Sequence, residues 1–166
     1  MGQLNDLIWC SNPDYDTLDN LLAHLREHAA TILGEAGLEV RFDLPEKAPA
    51  LPVTGYFRRQ VLLLFKEALT NITRHAHAST IRISARLESP EPPAETHLFL
   101  ELADNGCGFD PALPARPRGH GLANLRSRAR ALQGTLEIRS AAGQGTSLHV
   151  RLPLAPHLQG NQKAGE

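Results

Sequence analysis

The chain contains 166 residues, of which 42% are hydrophobic, and it carries a formal net charge of -1. A chain of this length can bury one substantial core, and a charge so close to zero argues against a general nucleic-acid-binding protein. No apolar run is long enough to cross a bilayer and no signal peptide follows Met1, so we expect a cytoplasmic domain.

The first predicted helix spans residues 17–33, where apolar residues recur at helical spacing. At about 100° per residue they fall on one face, which is typical of a helix packed against a core. This apolar stripe consists of Leu18, Leu21, Leu22, Leu25 and Ile32. A short strand is predicted next, over residues 39–44. Asn12 and Pro13 would end any helix before residue 15, so we expect the folded domain to span residues 16–153.

The second predicted helix spans residues 56–75, a run that contains neither glycine nor proline. Glu67, Asn71 and His75 follow one another at four-residue intervals. With Arg74 beside them, they form a polar column along one flank of the helix. Carboxylate and amide oxygens suit a hard cation, and imidazole and guanidinium groups can donate to phosphates. Taken alone, the column is also typical of a solvated helix face.

Two strands with alternating apolar residues are predicted after this helix, over residues 81–87 and 97–103. Asp104 comes directly after the second strand, where the backbone must turn. Its carboxylate can accept a hydrogen bond from an exocyclic amine, while Gly106 and Gly108 let a flat ring approach the main chain. The same Asp-x-Gly-x-Gly pattern also occurs in tight turns that bind nothing.

A loop rich in proline and arginine, residues 111–118, leads to Gly119-His-Gly121 and a third predicted helix over residues 122–132. Glycines at a helix start expose backbone N–H groups to an anion, and the helix dipole adds to the attraction. By itself this is weak evidence for a ligand, because glycine-rich helix starts are common. Two final strands are predicted by alternation, the first from Leu136 and Ile138 and the second from Leu148, Val150 and Leu152.

The alternation also predicts the overall architecture. Strands with one buried and one wetter face favour a mixed, mostly antiparallel sheet with helices on one side. We therefore predict an α+β fold built as a two-layer sandwich, with about three helices covering one face of the sheet. Residues 89–94 are expected to form an exposed hairpin loop, and residues 154–166 a polar, poorly ordered tail.

In this order and context, the segments resemble the catalytic ATP-binding domain of two-component sensor histidine kinases, in the superfamily shared with DNA gyrase B, Hsp90 and MutL. The chain is most similar to the branch that phosphorylates response regulators with helix-turn-helix output domains. The matching segments are residues 65–76 for that branch's N box, 104–110 for its G1 box, 119–129 for its G2 region and 143–147 for the final turn. The resemblance covers residues 38–153 and implies a Bergerat-type ATP-binding fold.

The resemblance implies a role for each matching residue. Asn71 would coordinate Mg²⁺, and Glu67 would hold a metal-bound or attacking water or help to orient the metal, so both are candidate catalytic and metal-binding residues. Asp104 would pair with the amino group of adenine, with Thr146 supporting that pair through water. The remaining candidates would face the phosphates, line the base or form a mobile lid; they are Arg74, His75, Gly106, Gly108, Gly119, Gly121 and Leu122.

The resemblance also implies partners. Residues 1–15 would be the end of an upstream dimerisation helix and a linker. Trp9 would then be exposed, because its packing partners would belong to that dimerisation domain. The phosphoacceptor histidine would lie in that dimerisation domain, either in the same chain or in the second chain of a homodimer. The parent protein could be anchored in a membrane. A response regulator would then receive the phosphoryl group on an aspartate. For His24 and His28, the other helical histidines, packing or solvent exposure is favoured over an acceptor role.

Two alternatives use the same nucleotide fold. An ATP hydrolase like gyrase or Hsp90 would use Glu67 to activate water, but such proteins need additional transducer domains, and the Arg74-His75 pair looks kinase-like. A serine kinase acting on an anti-sigma-factor partner is the other alternative, although residues 123–128 resemble sensor kinases more closely. We therefore expect protein-histidine kinase activity for the parent protein, and nucleotide binding alone for this chain in isolation.

Overall fold

The computed structural model describes residues 9, 12, 15–46, 48–89, 96–110 and 121–159. Three α-helices lie wholly within them, namely α1 (Leu18–Glu35), α2 (Gly55–Asn71) and α3 (Gly121–Ala131). Helix α2 begins after Thr54, whose hydroxyl accepts a hydrogen bond from the Phe57 amide at 3.2 Å. It continues into a π-helical turn, Ile72–Ala76. The helix predicted over residues 56–75 is confirmed, but its last turn is wider than an α-helix.

Five strands form one sheet, namely β1 (Glu39–Asp43), β2 (Thr80–Glu88), β3 (His97–Asp104), β4 (Thr135–Ser140) and β5 (Thr146–Pro153). Their order across the sheet is β1-β2-β3-β5-β4. β1 pairs with β2 in parallel, and the three other pairings are antiparallel. The parallel pair requires a crossover connection, which α2 supplies. The predicted mixed, mostly antiparallel sheet is confirmed.

The core lies between one face of this sheet and the helices. Alternate residues of β2, β3 and β5 are buried there, as the alternation in the sequence predicted. Burying one such aliphatic or aromatic side chain stabilises the fold by about 1.5–3 kcal/mol. The largest fully buried apolar side chains are Phe57, Phe65, Leu18, Leu21, Leu33, Leu62, Leu64, Leu69, Ile81, Leu98 and Leu102. The α+β two-layer sandwich is therefore confirmed.

The first described residues dock on the helices. The ring of Trp9 stacks on that of His24 with 4.0 Å between centres, and the guanidinium carbon of Arg58 lies 4.8 Å from the indole centre. Arg58 donates to the carbonyl oxygens of Trp9 at 3.1 Å and Asn12 at 3.2 Å, and it pairs with the Asp16 carboxylate. The expectation that Trp9 is exposed is wrong, because two cationic or aromatic side chains cover its ring. The packing interpretation is confirmed for His24.

The residues after β5 are also packed. Leu154 is 1% exposed, and a 3₁₀ turn, Ala155–His157, follows it. Within this turn the imidazole of His157 is buried, and its Nε2 lies 2.9 Å from the carbonyl oxygen of Leu132. The expectation of a poorly ordered tail is wrong for residues 154–159, because these two side chains complete the core.

Several expectations fall on residues that the structure does not describe. Residues 90–94 of the predicted hairpin loop, residues 111–118 and residues 160–166 lie outside the described residues. Across the described part of the chain, none of the helices combines the length and the apolar composition needed to cross a membrane.

Candidate functional site

The end of α2 and the start of α3 meet at three of the predicted site residues. Glu67 and Asn71 lie one turn apart on α2, and both are half-buried. A Cβ atom placed on Gly121 would lie 2.8 Å from Oε1 of Glu67 and 2.9 Å from Oδ1 of Asn71. Both oxygens therefore lie against the N-terminus of α3, where glycine leaves them room without any shift of the two side chains. We call Glu67, Asn71 and Gly121 the helix-end group.

The side-chain amide of Asn71 has an unusual environment. Its Nδ2 atom is buried and, among the described residues, has no hydrogen-bond partner. Burying a polar group without a partner costs about 1–3 kcal/mol, so such a group in a folded protein indicates a bound water, ion or ligand. Rotation of the amide by 180° exchanges oxygen and nitrogen, so the side chain can offer either a donor or an acceptor.

The helix-end group fits a magnesium ion that is also bound by phosphates. Mg²⁺ in nucleotide sites is held by one or two protein oxygens, and phosphates and water complete its octahedral coordination. The carboxylate of Glu67 and the amide of Asn71 supply two adjacent oxygens. In the part of the chain that the structure describes, no three His, Cys, Asp or Glu side chains are placed to hold a metal ion. A metal at this position would therefore depend on a ligand's oxygens.

The π-helical turn connects the helix-end group to the loop after β3. It leaves the side chains of Arg74 and His75 exposed. Two of its carbonyl groups accept hydrogen bonds from Cys107, whose amide lies 2.7 Å from the Ala76 oxygen and whose thiol lies 3.4 Å from the His75 oxygen. A Cβ on Gly106 would overlap the carbonyl group of Ala76, so only glycine fits there. The turn therefore fixes the loop after β3 against the end of α2.

Asp104 lies at the end of β3, opposite Thr146 on β5. Its Oδ1 atom accepts a hydrogen bond from the Gly106 amide at 2.8 Å, and the backbone N–H of Thr146 also donates to the carboxylate. Burial raises the pKa of the Asp104 carboxyl above its ordinary value, and the two backbone hydrogen bonds offset this only in part. The result is a half-buried carboxylate that is oriented by the backbone and has lone pairs left for a ligand.

Two residues that the sequence did not single out fix the loop and the strand end beside this carboxylate. Asn105 accepts from the amides of Ser79 at 2.9 Å and Thr80 at 3.0 Å, and its Nδ2 donates to the Ser79 hydroxyl at 2.9 Å. Ser140 lies within hydrogen-bonding distance of the loop after β3 and of Thr146. The only sequence signals were an asparagine next to the key aspartate and a serine ending an apolar strand. We call Asp104, Asn105, Ser140 and Thr146 the strand-end network.

Glycines close the strand-end network from both sides. Gly108 has a φ of +57° and Gly145 a φ of +73°, a region that glycine occupies without strain. A Cβ on Gly108 would overlap the Ala141 carbonyl, and one on Gly145 would overlap the carbonyl of Asp104. The loop after β3 and the turn before β5 can approach each other this closely only because both residues lack side chains.

The predicted site residues thus fall into two groups joined by the π-helical turn. Glu67, Asn71 and Gly121 meet at one end, and Asp104, Gly106, Gly108 and Thr146 meet at the other. Leu122 is partly buried and packs against the core, and Gly119 lies outside the described residues. The structure places these residues, while their roles toward a nucleotide stay predictions.

Comparisons with known proteins agree with this geometry. A model of the family described as "Histidine kinase-, DNA gyrase B-, and HSP90-like ATPase" matches residues 58–156. Sensor histidine kinase LiaS of Bacillus subtilis (strain 168) is 27% identical over 76% of this chain and 32% of LiaS. Sensor histidine kinase YdfH of the same strain is 35% identical over 56% of this chain and 22% of YdfH. The nitrate/nitrite sensor protein NarQ of Escherichia coli (strain K12) is 30% identical over 79% of this chain and 22% of NarQ.

The matched regions therefore span about a fifth to a third of the length of these curated relatives. Among solved structures, the histidine kinase domain from the Erythrobacter litoralis EL346 blue-light activated histidine kinase has a TM-score of 0.62 at 20% identity, over 84% of this chain and 64% of that chain. The Acinetobacter baumannii histidine kinase AdeS has a TM-score of 0.55 at 18% identity, over 91% of this chain and 76% of that chain. At these identities the likeness shows a shared fold.

Proposed function

Because this chain belongs to the family of histidine kinase-, DNA gyrase B- and HSP90-like ATPases, we propose that it is the Mg-ATP-binding catalytic domain of a sensor histidine kinase. In this role it presents the γ-phosphate of ATP to a histidine in a dimerisation domain, and a response regulator receives the phosphoryl group on an aspartate. One observation carries the proposal. Oxygens of Glu67 and Asn71 meet at the N-terminus of α3, and the Asn71 amide is buried without a partner among the described residues.

The phosphates of the nucleotide would lie at the helix-end group. A helix N-terminus directs unpaired N–H groups and a positive dipole end at an anion. Glu67 and Asn71 would hold Mg²⁺, which when bound would neutralise phosphate charge. Arg74 and His75 are exposed next to this position and supply donors to the same phosphates. Gly119 and Leu122, which flank Gly121, would belong to the lid that closes over them.

The base would lie at the strand-end network. Asp104 accepts a hydrogen bond from the exocyclic amine of adenine, and Thr146 supports that contact from the neighbouring strand. Gly106 and Gly108 leave the main chain bare, so the flat ring can approach it. Because the backbone of Gly106 and Thr146 already orients the carboxylate, base binding requires little rearrangement.

Phosphoryl transfer in this arrangement is governed by positioning. A histidine nitrogen of the dimerisation domain attacks the γ-phosphorus in line, the bond to the β–γ bridging oxygen breaks, and ADP leaves. The acceptor belongs to a dimerisation domain, in the same chain or in the second chain of a homodimer. We place the ATP-binding domain from residue 16 to residue 159, because Leu154 and His157 are part of its core. Residues 1–15 then connect this domain to the dimerisation domain. The ATP-binding domain would lie in the cytoplasm, because ATP is supplied there.

The first test is calorimetric titration of this chain with a non-hydrolysable ATP analogue, with and without Mg²⁺. We expect Mg²⁺-dependent binding in the unaltered chain and at least a hundredfold weaker binding in Asp104→Asn. In either orientation the amide nitrogen of asparagine would meet a donor, namely the backbone N–H of Gly106 or the amine of adenine. Asp43→Asn is the matched control, since Asp43 is an exposed residue on β1. Equal affinities in all three proteins would remove the site assignment.

A second measurement separates the kinase from an ATP hydrolase on the same fold. The kinase proposal predicts that ATP bound to this chain releases phosphate only slowly, because no acceptor is supplied. A hydrolase would release phosphate steadily, and Glu67→Gln would stop it by removing the base for water. The curated relatives described above are named as sensor proteins, so neither the hydrolase nor the serine kinase alternative is favoured.

A further inference from the structure

The hydroxyl of Ser140, at the end of β4, contacts three groups that come from different parts of the chain. The amide nitrogen of Phe109 lies 2.9 Å from its oxygen. The carbonyl oxygen of Gly145 lies 3.0 Å away, and the hydroxyl oxygen of Thr146 also lies 3.0 Å away. Ser140 therefore ties the loop after β3 to the turn before β5.

Counting hydrogens assigns a direction to each of these hydrogen bonds. A serine hydroxyl has one hydrogen to donate and two lone pairs that accept. The Phe109 amide can only donate, and the Gly145 carbonyl can only accept. For all three contacts to be hydrogen bonds, the single hydrogen of Ser140 has to go to Gly145, and its second lone pair has to accept the hydrogen of Thr146. The Thr146 hydroxyl is thereby committed as a donor to Ser140.

This direction decides what Thr146 can offer to a ligand. With its hydrogen directed at Ser140, its oxygen presents only lone pairs. Asp104 and Thr146 are direct cross-strand neighbours, so their side chains lie on the same face of the sheet. The Asp104 carboxylate also presents only lone pairs, and its own donors are the backbone groups of Gly106 and Thr146. The two side chains at the base end of the site are therefore both hydrogen-bond acceptors.

We infer that Ser140 is a specificity-determining residue. By accepting the Thr146 hydrogen, it makes the base end of the site select adenine over a purine that carries a carbonyl in place of adenine's exocyclic amine. This inference rests on the proposed function, since it assumes that a nucleotide base lies at Asp104 and Thr146. A carbonyl oxygen at that position would face two acceptors and remain unpaired, which a buried site penalises strongly. Ser140 does this without touching the base, because it acts through Thr146.

The experiment compares the affinities of ATP and inosine triphosphate, in which a carbonyl replaces the exocyclic amine, in the presence of Mg²⁺. We expect the unaltered chain to prefer ATP by about a hundredfold or more. In Ser140→Ala, the Thr146 hydroxyl can rotate and donate to a carbonyl, so the preference should fall by about tenfold. In Ser140→Thr, which keeps a hydroxyl, most of the preference should return. A merely structural role would weaken both nucleotides by the same factor and leave the ratio unchanged.

A double-mutant cycle with Thr146→Val tests whether Ser140 acts through Thr146. Valine has the shape of threonine without the hydroxyl, so Thr146→Val should itself lower the preference, and adding Ser140→Ala should then change the ratio no further. Thr146→Val alone decides the matter if Ser140→Ala does not fold, since an unchanged ratio in that variant overturns the inference. Failure of the unaltered chain to bind ATP would instead reject the proposed function.

Discussion

The two halves of the candidate site differ in how their polar groups are satisfied. In the strand-end network, Asn105 holds two backbone amides and a hydroxyl through its side chain, and Ser140 contacts three groups. In the helix-end group, the Asn71 amide is buried without a partner among the described residues. The half that would bind the base is therefore completed by folding, whereas the half that would bind the phosphates leaves this amide available to a ligand.

Gly145→Ala should break the strand-end network most severely. Gly145 has a φ of +73°, and a Cβ there would overlap the carbonyl of Asp104, so the turn and the end of β3 would have to separate. We expect a loss of about 4 kcal/mol or more in the free energy of unfolding, measured by urea denaturation. Gly143→Ala is the matched control, because Gly143 has a φ of +77° but no atom within 4 Å of its Cβ position. That variant should lose only about 1–2 kcal/mol through backbone strain; equal losses would show that the close approach is unimportant.

Substituting one asparagine in each half of the site should distinguish an effect on stability from an effect on Mg²⁺-dependent ATP binding. Asn105→Ala leaves the amides of Ser79 and Thr80 without their acceptor, so we expect a loss of about 1–3 kcal/mol in the free energy of unfolding. Asn71→Ala removes a buried group without a partner among the described residues, so its free energy of unfolding should fall by no more than about 1 kcal/mol. Its Mg²⁺-dependent ATP affinity should nevertheless fall by about tenfold or more, because the proposed metal ligand would be lost.

Chemical denaturation and calorimetry of the two asparagine variants give both quantities. The comparison between the halves requires stability to fall mainly in Asn105→Ala and Mg²⁺ dependence to fall mainly in Asn71→Ala. If Asn71→Ala instead proved the less stable variant, with its Mg²⁺ dependence intact, the helix-end group would be a structural feature rather than part of a phosphate site.

The smallest expected effect is a pH dependence of stability from Asp104. Burial raises the pKa of this carboxyl in the folded state, so the folded protein holds the proton more tightly than the unfolded chain, whose aspartate pKa is about 3.9. Its contribution to stability is therefore most favourable below that value and declines as the pH rises through the raised pKa. Relative to Asp104→Asn, the unaltered protein should become less stable as the pH rises from about 4. Thermal unfolding midpoints of both proteins against pH test this, and the opposite slope contradicts it.

Local sequence patterns were sufficient for the elements and for part of the site. The apolar stripes of α1 and α2 and the alternation in β2, β3 and β5 report directly which face of each element is buried, because side-chain direction follows the period of the backbone. The glycines near Asp104 were identified for the same reason, since glycine is needed where backbones approach closely. The roles of Asn105 and Ser140 were not predicted, because the residues next to them in the sequence do not show which amides and hydroxyls they contact in the fold.

The sequence by itself determined the fold class, the order of helices and strands, the placement of Glu67 and Asn71 one turn apart on one helix, and the placement of Asp104 at the end of a strand. Only the tertiary structure decided that Trp9 stacks on His24 beside Arg58, that residues 154–159 pack against the core, and that the hydroxyl groups of Ser140 and Thr146 lie within hydrogen-bonding distance. The physical reason is the range of the interactions. Periodicity and turn chemistry act between near neighbours in the chain, whereas these contacts depend on strand register and helix packing across the whole domain.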